Sequence, residues 1–154
     1  MTMTKRTLWK CPKCGEEFTT KNQWHSCGNF ALDDLFSGCH AHVRPLFDRF
    51  SLLVERCGPV KVIPQKTRIV FQTRMRFAAI IPQKTQLRGH LVLPEPNPSR
   101  YFDRIESYSP GNHVHVFRIS SAEQLDEWQL DEEFTGFLKA AYRVGNQEHL
   151  DRRT

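Results

Sequence analysis

Residues 56–94 contain no aspartate or glutamate, yet they carry eight cationic side chains: Arg56, Lys61, Lys66, Arg68, Arg74, Arg76, Lys84 and Arg88. Between these lie the apolar runs 60–63, 69–71, 77–81 and 91–93, built largely from β-branched and aromatic residues. Runs this short suit a pleated surface better than a helix. The pentapeptide Ile-Pro-Gln-Lys-Thr occurs twice, at 63–67 and 81–85. Proline cannot donate inside a ladder, so each copy marks the end of one strand and the turn into the next. The expected strands are about 61–63, 67–72, 75–81 and 86–93. On the last, Leu87, Leu91 and Leu93 alternate with Gln86, Arg88, His90 and Val92, giving one apolar face and one mostly polar face.

The flanks supply what covers the apolar face. Val43, Leu46, Phe47, Phe50, Leu53, Val54 and Cys57 recur at three- and four-residue intervals, the stripe of a helix packed on one side. Pro45 suits its first turn, and Gly58 and Pro59 mark its end. A short helical turn is expected at 31–36, a loop at 94–99 and a short strand within 101–108. In the strand 113–119, His113, His115, Phe117 and Ile119 share one side. Ser121 and Gln124 have the spacing of a capping box, and a final helix begins near Asp131. The acids between 123 and 133 are either a solvated helix face or a shield for the basic sheet. The expected fold class is α+β: an antiparallel sheet of about five to six strands packed against N- and C-terminal helices, with a small N-terminal zinc knuckle. The division is a zinc-finger-like segment over 1–30 and an α+β domain over 31–154.

The knuckle is read from Cys11-Pro12-Lys13-Cys14-Gly15, where two thiolates on one tight turn can reach one ion. His25 and Cys27 follow, and on extended backbone their one-residue separation sends both side chains to one side. Three sulfurs and one imidazole suit a structural zinc ion (Zn2+), held by Cys11, Cys14, His25 and Cys27. Cys39, His40 or His42 could replace a distal ligand. Five cysteines are then ligands and buried thiols of a reducing compartment, not disulfides.

A chain of 154 residues has room for one compact domain and a small appendage. It has no apolar run long enough to span a bilayer, and residues 1–10 lack the apolar core of a secretory signal, so cytoplasmic residence and no membrane partner are expected. The net charge is +5 while residues 56–94 alone hold eight positive charges, so the positive field is concentrated. That concentration points to nucleic acid or another phosphate-bearing ligand. The candidate contacts are Lys66, Arg68, Arg74, Arg76, Arg88, His90, His113 and His115. Two further readings stay open. One is an enzyme on an anionic small molecule, with His90, His113 or His115 moving protons; the other is a protein-interaction module. The central sheet offers no carboxylate set for magnesium, and no phosphate-binding glycine loop, nucleophile elbow or dinucleotide fingerprint occurs.

The order of Trp9, Cys-Pro-x-Cys-Gly at 11–15, His25-Ser26-Cys27, Pro64-Gln65-Lys66-Thr67-Arg68-Ile69, Gly89-His90-Leu91-Val92-Leu93, Ser109-Pro110-Gly111-Asn112-His113 and Ala141-Tyr142 resembles a domain-of-unknown-function family, number 5655. The version it resembles carries an N-terminal zinc-finger-like segment, onto which Cys11, Cys14, His25 and Cys27 map. The resemblance implies a small α+β domain with an antiparallel sheet and terminal helices. Related domains attached to restriction-type nuclease domains imply a setting in nucleic-acid metabolism. No activity and no catalytic residue are implied.

Overall fold

The structure is a computed structural model that describes residues 7–19 and 30–148. A two-stranded N-terminal sheet, β1 (Trp9–Lys10) and β2 (Glu17–Phe18), precedes a short 3-10 turn at Leu32–Phe36 and helix α1 (Val43–Glu55). Strands β3 (Lys61–Pro64), β4 (Ile69–Gln72), β5 (Arg76–Pro82), β6 (Leu87–Leu93), β7 (Arg104–Ser109) and β8 (Asn112–Ile119) follow, then helices α2 (Ala122–Leu130) and α3 (Glu132–Gly145). The six long-range strands form one antiparallel sheet in the order β3-β4-β5-β6-β8-β7. The fold is therefore α+β, as the sequence pattern requires. Pro64 and Pro82 close β3 and β5, so both copies of the repeated pentapeptide are strand ends.

The helices lie on one face of this sheet. Phe71 meets Phe47 and Phe50 at centroid distances of 6.1 and 5.7 Å, and Phe50 also reaches Phe117 at 5.6 Å. Leu87, Leu91, Leu93 and Ile119 complete the sheet's contribution to this core. Gly89 is required here, because a Cβ at that position would stand 2.1 Å from Cζ of the Phe117 ring. Between Phe71 and Gln72 the register with β5 shifts: Phe71 pairs with Ala78 and Gln72 with Arg76, leaving Phe77 as the extra residue of a β-bulge. The bulge turns Phe77 into the core, edge-on to Tyr142 at 5.6 Å.

Helix ends are fixed by local side chains. The Gln124 N–H donates to Ser121 Oγ at 3.2 Å, while Gln124 Oε1 accepts from the Ser120 N–H at 2.9 Å, a capping box displaced by one residue. Asp131 ends α2 and caps α3, its carboxylate accepting from the Glu133 N–H at 2.9 Å. The acids after Ser121 lie in this helical layer, where Asp126 pairs with Arg49 and Glu127 and Asp131 pair with Arg100. They do not shield the basic sheet.

Candidate anion-binding site

In an antiparallel ladder, residues directly opposite one another present their side chains on the same face. The register therefore defines the face that the helices leave open. Val70, Ala79, His90 and Val116 form one row across β4, β5, β6 and β8; Ile81, Arg88 and Arg118 form the next. On this face a half-enclosed cavity of about 170 Å³ lies between β4, β5, β6 and β8. Val70, Val92 and Val114 line its floor, and Arg68, Arg76 and His90 are its polar groups. Arg68 stands two positions from Val70 and shares its face.

Two nitrogens of residues that line this pocket are buried and lack partners among the described residues: Arg76 Nε and His90 Nε2. Burial first, then the positive fields of Arg68 and Arg88, pushes the His90 imidazole down to about 4, with Glu106 opposing. The imidazole is neutral at physiological pH. Burial likewise pulls the Arg76 guanidinium below its usual range, with Arg68 acting in the same direction and Glu16 against it. Arg76 is held by its outer nitrogens: with the Gln65 amide oriented by this network, the Gln65 oxygen accepts from Nη2 at 2.9 Å and Nη1 at 3.2 Å. The Phe18 ring of β2 lies 5.0 Å from the guanidinium carbon. A guanidinium held by its outer nitrogens and a neutral imidazole, lining one cavity with Arg68, form an arrangement that an acceptor-rich anion would satisfy.

The eight cations of 56–94 divide into groups. Arg68 and Arg76 line the cavity on the face away from the helices, and Arg88 shares that face one row from His90. Lys61 shares that face but pairs with Glu17 at 3.0 Å. Arg74 points from the β4–β5 turn toward the end of α3, donating through Nε to Gln147 Oε1 at 2.9 Å. Lys66 and Lys84 are exposed in turns, and Arg56 is exposed at the end of α1. Nearby, Arg104 pairs with Glu106 at 3.0 Å and Arg118 with Asp103 at 2.8 Å.

The three histidines do not form one site. His115 lies opposite Leu91 and His113 opposite Leu93, which puts both on the helix-covered side, away from His90. His115 is fully buried. Its Nε2 accepts from the Asn97 N–H at 2.9 Å, which fixes the proton on Nδ1, and Nδ1 donates to the His113 carbonyl at 2.8 Å. Its role is to hold the 94–99 loop. Ser107 Oγ lies 2.7 Å from His113 Nδ1 at the far end of β8. Parity along β8 is readable in sequence, but the alignment of β8 with β6 is not.

In the knuckle, Cys11 and Cys14 sit in a tight turn joining β1 to β2. The Cys11 N–H donates to the Glu16 carbonyl and the Gly15 N–H to the Cys11 carbonyl, both at 2.8 Å, with Gly15 at φ +79. The other expected ligands, His25 and Cys27, lie outside the described residues. Among the described residues no three histidine, cysteine or acidic side chains gather as a metal site. Cys39, His40 and His42 therefore do not join Cys11 and Cys14. Their neighbourhood is the β5–β6 turn, where the His40 N–H donates to the Lys84 carbonyl at 2.8 Å and His42 Nε2 lies 2.9 Å from the Thr85 carbonyl. Among the described residues no helix is long and apolar enough to cross a membrane.

Fold and pocket together define an α+β domain with one helix-covered sheet face and an opposite, cationic face that the helices leave free. The model of the family described as a domain of unknown function (DUF5655) matches residues 32–145, and the chain belongs to that family. The match does not extend over the knuckle. No curated protein and no solved structure matches the chain.

Proposed function

We propose that this domain is a binding module for a phosphate-bearing ligand, nucleic acid foremost, which docks on the open sheet face at Arg68, Arg76, Arg88 and His90. The N-terminal knuckle is a structural zinc site held by Cys11, Cys14, His25 and Cys27, the zinc serving to fix the hairpin that carries Phe18. The observation that carries the reading is the pair of orphan nitrogens, Arg76 Nε and His90 Nε2, in a cavity that also contains Arg68. An enzyme would retain only His90 of its three candidate histidines. No carboxylate, hydroxyl or thiol lines the cavity among the described residues, so binding is the function this geometry supports best. Fluorescence anisotropy with a labelled single-stranded oligonucleotide tests it: affinity should fall steeply as salt rises. Arg68→Ala or Arg76→Gln should each weaken binding by about tenfold or more, the worth of a charge-assisted hydrogen bond. Failure of any phosphate-bearing probe to bind at low salt would refute the reading.

A further inference from the structure

The cavity is small, and its three polar groups come from three neighbouring segments: Arg68 just before β4, Arg76 at the start of β5 and His90 within β6. Val70, Val92 and Val114 line it beside these polar groups, and the cavity is about half enclosed. A phosphodiester inside a strand carries one charge and two free oxygens, and its chain must leave in two directions. A phosphate monoester carries up to two charges and three free oxygens, and leaves in one direction only. Three polar groups converging on a cavity of about 170 Å³ match the higher charge and three free oxygens of the second. Resting on the docking reading above, we infer that the pocket receives a terminal phosphate group, and that His90 takes up a proton from solvent as the phosphate enters.

The proton step follows from the charges that face His90. Arg68 on the β4 side, Arg88 on its own strand and Arg104 on β7 disfavour its protonation, and Glu106 on β7 favours it; β5 adds Arg76 in the same cavity, and β8 adds the uncharged Val114 and Val116 and, one row away, Arg118, which is paired with Asp103. A bound dianion offsets the fields of Arg68 and Arg88 and accepts from the imidazolium, so protonated His90 is favoured only in the complex. Affinity therefore carries a proton-uptake term. The phosphate itself acts in the opposite sense, because a site selective for the dianion releases protons from a ligand whose second pKa is about 6. Net uptake near neutral pH must then come from the protein.

Isothermal titration calorimetry at pH 7, in two buffers of different ionisation heat, reads that uptake directly. Full-length zinc-loaded protein is titrated with inorganic phosphate, with a 5′-phosphorylated single-stranded oligonucleotide and with the same oligonucleotide lacking the 5′-phosphate. The phosphorylated oligonucleotide should bind about tenfold or more tightly than its unphosphorylated twin, with net proton uptake. Inorganic phosphate should bind the same pocket and compete. His90→Gln should abolish the uptake, and Arg68→Gln, at the rim, should abolish the preference for the phosphorylated end. Equal binding of both oligonucleotides overturns the terminal-phosphate inference while leaving the docking reading intact. Binding without uptake, or uptake that persists in His90→Gln, overturns the role of His90. Binding of none of the three probes removes the docking reading itself.

Discussion

On β6, burial and the fields of Arg68, Arg88 and Arg104 hold His90 neutral, and on β8 burial, the largest cause, lowers the affinity of His115 for a proton. Both groups titrate near 6.5 in the unfolded chain, which therefore binds more protons than the folded protein as pH falls below that value. Their contribution to stability is complete above about pH 6.5 and is lost as pH descends toward the folded values. For His90, pushed down to about 4, the loss on reaching pH 4.5 should be about 2 kcal/mol after allowance for its residual solvent contact. Urea unfolding of wild type and His90→Gln at pH 7 and 4.5 isolates that share, since the carboxylates titrate in both proteins; parallel declines would refute it. Gly89 makes a second residue-scale demand. Gly89→Ala drives a methyl into a ring 2.1 Å away and should cost about 1–3 kcal/mol in the same assay, with repacking of Phe117 setting the exact cost.

Between α2 and α3 one residue performs several tasks. Asp131 caps α3 through the Glu133 N–H and accepts from Arg100 at 2.7 Å and from the Tyr101 hydroxyl, while Tyr101 packs edge-on to Trp128 at 5.0 Å. Asp131→Ala should destabilise the protein and lower its urea midpoint, chiefly through the lost cap, since the exposed Arg100 pair adds little. A smaller drop for Arg100→Ala than for Asp131→Ala in urea midpoints would bear this out, and the reverse order would refute it. The elements themselves were legible in sequence wherever one period dominates: the stripe from Val43 to Val54, the alternation of β6 and the capping residues Ser121 and Gln124 all lie where the pattern put them. The pocket was legible only in composition. Arg68, Arg76, Arg88 and His90 stood out by charge and by residue type, but which cations share a face depends on cross-strand register and on the bulge at Phe77, and neither is encoded in the spacing of any one strand. Arg74, two residues from Arg76, is directed to α3 because it belongs to the turn and not to the ladder. His113 and His115 kept their parity, yet parity along β8 says nothing about which face it shares with β6.

At the scale of the molecule, the knuckle and the sheet are built separately and meet at Lys61, Gln72 and Arg76, the last of which lines the pocket. The main core runs from Phe36 to Ala141 and includes no residue of β1 or β2. Phe18 is buried instead against Trp9, at a centroid distance of 6.1 Å, and under the guanidinium of Arg76. Glu17 adds its pair with Lys61 and accepts through its carbonyl from Gln72 Nε2. Removing the proposed zinc should therefore release the Phe18 ring from Arg76 without melting the sheet. Arg76 would keep Gln65 but lose its aromatic neighbour, a contact worth about 1 kcal/mol, or roughly fivefold in affinity. Chelated protein should thus bind the phosphorylated oligonucleotide about fivefold more weakly while the urea midpoint of the main domain stays in place. Phe18→Ala should reproduce the loss with zinc still bound. If chelation unfolds the whole chain in one transition, the two cores are not independent; if it leaves affinity untouched while Phe18→Ala weakens binding, the ring is held over Arg76 by the hairpin pairing of β1 and β2 alone.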